Sequence, residues 1–399
     1  MPSKRKINIT VLIGIILIGA VSRAPITAVG TLIGNISSDL NLSSAAAGMI
    51  TTLPLLAFAF VSPFVTVVAK KLGFGRALIS ALFVLAIGIL VRSFAGSAGV
   101  YAGTALMGVG IAFGNVLTPG IIKMKFPGNE GMATGVYVVS MAVFSGIAAA
   151  ISVPFANSIG WKMTLFMWIV VAALTMLWWA FMGKLTPAES SEEKAEDAKE
   201  NARSIYSYPM AWILAAYYGL QSLLYYCFVA WLPTILVSKG LSASAAGGFT
   251  TLNQMAGLPM AFLVPIAAQK MKNQKNIALF VAAVYFAGMF MLYIGTSPFV
   301  IGAALCLAGL GAGSSTSLAT VDITLRAADG KMASALAGMS QFLGYILAAS
   351  GPTLLGKIYD VTNSWSVPMI LLLLLIIVMT FISYASGDDF TIGEVKPKI

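Results

Sequence analysis

Long apolar stretches separated by short polar ones dominate this chain. A helix needs about 20 mostly apolar residues to cross roughly 30 Å of hydrocarbon. Twelve such windows can be placed, at 7–34, 46–69, 76–95, 99–122, 131–156, 163–183, 209–237, 246–269, 276–295, 298–323, 332–356 and 366–386. The runs are continuous and lack the alternation of a membrane barrel strand, so they predict helices, whose backbone groups are satisfied within each segment. The expected fold class is an all-α membrane protein with twelve transmembrane helices. After the sixth window the pattern breaks at Pro187 and the mixed-charge stretch Glu189-Ser-Ser-Glu-Glu-Lys-Ala-Glu-Asp-Ala-Lys-Glu200. That stretch has no apolar stripe and predicts a solvated cytosolic linker over 184–208, between a first half, 1–183, and a second, 209–399.

The halves repeat. Leu42-Ser-Ser-Ala-Ala-Ala-Gly-Met-Ile-Thr-Thr-Leu53 aligns without a gap to Leu241-Ser-Ala-Ser-Ala-Ala-Gly-Gly-Phe-Thr-Thr-Leu252, identical at eight of twelve positions with an offset of 199. The same offset carries Ala69-Lys70-Lys71 onto Ala268-Gln269-Lys270. Six helices separate equivalent points, an even number. The two halves are therefore expected to be parallel pseudo-repeats, related by an axis along the membrane normal.

Composition narrows the function. The 399 residues are 59% hydrophobic and 10% charged, against roughly 45–50% apolar content in a soluble domain. Histidine is absent, and Cys227 and Cys306 both lie inside apolar runs. This excludes a catalytic histidine, a zinc constellation and a disulfide framework, so no metal or other cofactor is expected. The net charge of +10 comes from short basic groups between windows, not from one aromatic-bearing face, so it reads as a topology signal with no nucleic-acid partner. With the N-terminus cytosolic, the inner segments hold 19 of the 24 Lys and Arg residues and the outer ones only Arg92, Lys162, Lys239 and Lys357. The positive-inside rule then places both termini in the cytosol of a cell whose inner membrane the chain spans many times. The lipid bilayer and a small molecule are its expected partners, and a monomer its expected state. The run after Lys4-Arg-Lys6 is too long for a signal-peptide core and predicts an uncleaved first span.

The residue left over from that charge count is Arg23, about sixteen residues into the first window. At 1.5 Å per residue it lies roughly 24 Å from the start of that window, inside the hydrocarbon. A central arginine costs about 2.5–3.5 kcal/mol on insertion scales and stays charged, so it must face a wet cavity or a partner. No carboxylate occupies its depth in the sequence. Thr27 and Gly30 share its face, and Pro25 is expected to loosen the helix beside it. By the repeat offset Arg23 corresponds to Ser222, whose neighbour Gln221 begins a face with Tyr225 and Phe228. Gln221 and Tyr225 are thus the expected partners from the second half. Tyr226 is a weaker candidate, and Trp231 fits the outer interfacial belt. Asn115, Tyr137, Asn253, Gln254, Gln341 and Tyr345 are further intramembrane polar or aromatic residues suited to substrate contact or to interhelical hydrogen bonds. Asp322 falls near the inner end of the tenth window with Arg326 four residues on, and the two are expected to pair at the interface.

Five stretches together resemble the cyanate and nitroimidazole porter branch of the major facilitator superfamily. They are Arg23-Ala-Pro-Ile-Thr-Ala-Val-Gly30; Thr51-Thr-Leu-Pro54 through Ser62-Pro63 to Lys70-Lys-Leu-Gly73; Gly114-Asn-Val-Leu-Thr-Pro119 with Phe126-Pro127; Gly219-Leu-Gln-Ser-Leu-Leu-Tyr225 with Ala230-Trp-Leu-Pro-Thr-Ile-Leu236; and Met339-Ser-Gln-Phe-Leu-Gly-Tyr345 with Gly351-Pro352. The resemblance implies the major facilitator fold, alternating access and a small anionic or polar substrate. Two residues depart from the pattern: Lys70 stands where the superfamily usually carries an aspartate, and Asp322 where relatives are expected to carry an apolar residue. Lys70, Lys71, Asp322 and Arg326 are expected in gating or structural roles. The expected function is secondary transport of a cyanate-like or azole-like molecule, with broad drug or azole efflux as the alternative. A membrane enzyme or sensor is disfavoured, since no nucleophile and base pair and no sizeable soluble domain is present.

Overall fold

A computed structural model describes residues 8–42, 44–185 and 204–393. The first half contains α1 (Ile9–Leu40), α2 (Ser44–Leu72), α3 (Phe74–Phe94), α4 (Gly96–Lys125), α5 (Glu130–Phe166) and α6 (Ile169–Leu185). The second contains α7 (Pro209–Ser238), α8 (Ala243–Gln269), α9 (Lys275–Ile294), α10 (Pro298–Leu325), α11 (Gly330–Thr362) and α12 (Ser366–Ser386). Most of the linker expected at 184–208 lies outside the described residues; a single 3-10 turn, Ile205–Ser207, leads into α7.

Local chemistry sets the helix ends. Asn8, Ser242, Ser297 and Asp329 each accept a backbone N–H from the first turn of the helix that follows, and Pro298 fills the first position of α10. Asn41 closes α1 and Asn363 closes α11 in left-handed conformations (φ 50° and 48°), which asparagine tolerates better than most residues. The apolar run Glu130–Met182 is 53 residues long, far more than one crossing needs. Gly160 divides it with φ 79° and ψ 157°, so the fifth and sixth spans are separate and the chain has twelve.

The repeat is visible in the packing. Helices α2 and α8 begin at Ser44 and Ala243, the offset of 199. In the first half α1 packs on α5, α2 on α4 and α3 on α4; in the second α7 packs on α11, α8 on α10 and α9 on α10. Glycines make the closest approaches possible: Cβ atoms on Gly103 or Gly110 would strike α3 backbone, and on Gly309 or Gly313 α8 backbone.

The halves meet unevenly. At the end of the bundle where the chain begins, α2 packs on α11 and α5 on α8, with α4 also against α11. Gly338 lies against the Ser62 carbonyl, Gly120 against Ser334 and Gly330, and Gly131 against the Pro265 carbonyl. Gln269 ties this end: its Nε2 donates to Glu130 Oε2 (3.0 Å) and its Oε1 accepts from Gly131 N (2.7 Å). At the opposite end Gly30, Gly34, Gly48, Gly146, Gly247 and Gly248 all face open space. The chain is thus shut at the terminal end and open at the other.

Candidate functional site

The seam closes at a layer of aromatic rings. Phe58 on α2 meets Tyr345 on α11 with ring centroids 5.0 Å apart, and Tyr345 meets Tyr218 (6.3 Å) and Tyr226 (6.4 Å) edge-on. Tyr225 packs edge-on to Tyr226 at 5.3 Å. Arg23 reaches into this cluster from α1, half-buried, and its Nη1 donates to the Tyr226 hydroxyl at 3.1 Å. Among the described residues no carboxylate forms an ion pair with Arg23. A planar cation with free donors therefore sits beneath an open cleft, ringed by phenols. Such a fork can hold a small oxyanion or the polar edge of a heterocycle, and the rings can wall it.

The other expected site residues divide by surroundings. Thr27 shares the Arg23 face but its hydroxyl pairs with Ser145 at 2.7 Å, joining α1 to α5. Tyr137 donates to Asn115 Oδ1 (2.9 Å), and both are buried. Gln221 and Ser222 do not meet Arg23. Gln221 Nε2 donates to the Ser222 hydroxyl and its Oε1 accepts from Thr316 on α10 (both 2.9 Å), so this pair works within the second half. Asn253 donates to the Leu305 carbonyl (2.8 Å), another contact inside that half. Gln341 is buried with Oε1 unpartnered. Tyr226 and Tyr218 are the residues the linear pattern underweighted. Tyr225 and Tyr226 lie seven and eight positions beyond Tyr218 on α7, about two turns along the helix.

The comparisons with known proteins can be set against this geometry. Residues 15–352 match the family described as Major Facilitator Superfamily. The chain belongs to this superfamily. Its relatives include an uncharacterized transporter, YycB, of Bacillus subtilis, 40% identical across 97% of this chain and 96% of that one. The 2-nitroimidazole transporter of Escherichia coli is 36% identical across 96% and 97%. The cyanate transport protein CynX of the same species is 25% identical across 89% and 91%. The match to both places the chain in the cyanate and nitroimidazole porter branch. A double tryptophan mutant of XylE superposes with a TM-score of 0.78 over 97% of each chain at 12% identity, a likeness of fold alone. As a major facilitator protein, the chain transports small molecules and is not an enzyme.

Several expectations change within this fold. Pro25 does not interrupt α1, which runs unbroken from Ile9 to Leu40. Arg92, counted with the outer segments, is 1% exposed near the end of α3. Its Nη1 donates to the Pro25 carbonyl (2.9 Å) and its Nη2 to the Leu165 carbonyl (3.4 Å), clamping α1 beside the site. Asp322 and Arg326 do not pair. The Asp322 carboxylate is buried with neither oxygen hydrogen-bonded, and the nearby Ser386 hydroxyl donates instead to the Ser383 carbonyl. Arg326 turns to the segment after α12, which folds back over it: it donates to Gln274 and to the Gly387 carbonyl (3.1 Å), and Asp389 lies 3.8 Å away. These acceptors outcompete Asp322 because they surround the guanidinium while the carboxylate sits deeper in α10. Lys70 and Lys71 occupy the exposed last turn of α2, where positive charge complements the helix dipole.

Proposed function

We propose that the protein is a secondary transporter that rocks its halves about the Arg23 site and carries a small, singly charged anion or small polar heterocycle. The observation that carries this reading is Arg23 itself: a charged fork at the foot of an open cleft, bound to a phenol of the opposite half and, among the described residues, in no ion pair with a carboxylate. Names of relatives support the substrate class, since one is a 2-nitroimidazole and one a cyanate transporter. Arg23 would supply charge and paired hydrogen bonds. Tyr226 would transmit occupancy between halves, with Tyr225, Tyr345 and Tyr137 as walls. Asn115, Thr27, Gln221, Asn253 and Gln341 would orient the helices around it. In this reading the chain sits in the inner membrane as a monomer with both termini cytosolic, and the open end faces outward, as the lysine and arginine bias supports.

The aromatic ring cluster favours a second reading, efflux of flat azole-like compounds, in which stacking outweighs the charge. Energetics frame the choice of direction. Importing a bare monoanion against an inside-negative potential costs about 2.3 kcal/mol per 100 mV, whereas exporting it runs downhill. A thermal-shift screen of small anions and azoles, repeated on Arg23→Ala, tests both. Anion stabilisation that Arg23→Ala abolishes supports the first reading. Azole stabilisation indifferent to Arg23→Ala supports the second, and anion binding unaffected by the substitution removes Arg23 from the site.

A further inference from the structure

The end of the bundle remote from the termini contains a second cavity that belongs wholly to the C-terminal half. It has a volume of about 300 Å³ between the ends of α7, α9, α11 and α12, and Lys239, Tyr293, Tyr359, Asn363, Trp365 and Ser366 are among its lining residues. No carboxylate lines it. The Lys239 ammonium donates to two neutral acceptors, the carbonyls of Tyr293 (3.0 Å) and Gly295 (2.9 Å). Burial pushes its pKa below the ordinary lysine value. Trp365 is 6% exposed, and its indole N–H is buried with no acceptor.

The N-terminal half shows what completes such a place. There, too, a buried tryptophan opens the last span just after a positive-φ residue: Trp161 follows Gly160, as Trp365 follows Asn363 by two. Trp161, however, has its acceptor. Its Nε1 donates to Asp39 Oδ2 at 3.1 Å, and Lys162 Nζ lies 3.7 Å from the same oxygen. The repeat offset of 199 carries Asp39 onto Ser238, whose hydroxyl is turned to the Ile235 carbonyl, and carries Leu40 onto Lys239. Trp365 stands 204 residues after Trp161, so the two tryptophans correspond by their place at the start of the last span and not by that offset; beside Trp365 the second half has a serine for the carboxylate, a lysine for Leu40 and a cavity.

We propose that this cavity is an oxyanion site, taking a carboxylate or phosphate group where the N-terminal half carries the Asp39 side chain. The Lys239 ammonium donates, with the unpartnered Trp365 indole N–H in the same lining, and the surrounding hydroxyls orient. Two sources present this chemistry, the phosphate of an anionic lipid headgroup and a free oxyanion. The proposal does not depend on Arg23, which lies in the cleft between the halves.

The test uses the purified full-length protein, with Tm read in neutral detergent against inorganic phosphate and against chloride at equal ionic strength. A parallel arm uses phosphatidylcholine nanodiscs with and without phosphatidylglycerol. Wild type is expected to show a saturable Tm rise with phosphate, with phosphatidylglycerol, or with both; the first marks a free oxyanion and the second a headgroup. Lys239→Gln should lose the rise. Ser238→Asp, which restores the carboxylate of the other half, should raise Tm without added anion and abolish the response. The proposal is overturned if neither probe raises Tm beyond the chloride control, or if the rise survives Lys239→Gln or Ser238→Asp.

Discussion

The proposed binding site is built around a single side chain. Arg23 could be singled out from its depth in an apolar run alone, because a permanent charge in hydrocarbon needs a reason. Its partner could not be found the same way. The repeat offset pointed to Gln221 and Tyr225, whereas the guanidinium meets Tyr226, 203 positions away and one residue beyond Tyr225. One residue on a helix is a rotation of about 100°, and a linear offset does not fix rotation that finely. The contact predicts that Arg23→Lys, which keeps charge but loses the fork, weakens binding of a stabilising anion by roughly tenfold or more, about 1.4 kcal/mol. Tyr226→Phe should cost about 0.5–1.5 kcal/mol, the worth of one hydrogen bond. A double-mutant cycle by calorimetry should show the two substitutions coupled. Additive effects in folded variants would mean that this hydrogen bond plays no part in binding.

Among the helices, α10 departs most from its sequence reading. An acid and a base four residues apart on one helix are an ordinary surface pair. Here the segment after α12 covers the end of α10, draws Arg326 to Gly387 and Asp389, and leaves the Asp322 carboxylate buried without a hydrogen bond. A buried carboxylate lacking hydrogen bonds costs more than a neutral amide of the same shape. Asp322→Asn is therefore expected to raise stability by about 1 kcal/mol, read from Tm or from denaturant unfolding in detergent. A clear loss of stability would show that the carboxylate is satisfied in the membrane by water or an ion. Helix α3 teaches a similar lesson. Arg92 counts with the outer segments by sequence, yet α1 and the α5–α6 junction enclose it and supply carbonyls for its donors.

At the scale of the whole molecule, the closed terminal end and the open opposite end would be one state of the proposed alternating-access cycle. Gly34→Cys and Gly247→Cys add side chains into open space, in a background where Cys227 and Cys306 are replaced. Both are expected to react with an impermeant thiol reagent from outside intact cells, while cysteines placed in the 184–208 linker react only from the cytosolic side. The reverse pattern would invert the orientation. Glu130→Ala removes the acceptor of Gln269 at the closed end, so it should lower outside labelling of Gly34→Cys by shifting the population toward the other state. The sequence by itself determined the fold class, the twelve spans, the duplicated halves and the presence of a permanent charge, Arg23, inside a span. Each of these follows from constraints that act along the chain: the thickness of the bilayer, the need to satisfy backbone groups locally, and the cost of burying charge. Only the tertiary structure decided which phenol meets Arg23, that Arg92 is enclosed, that Asp322 stands alone and which end is open. Those outcomes depend on how each helix is rotated about its axis and on contacts between segments hundreds of residues apart, which no local pattern encodes.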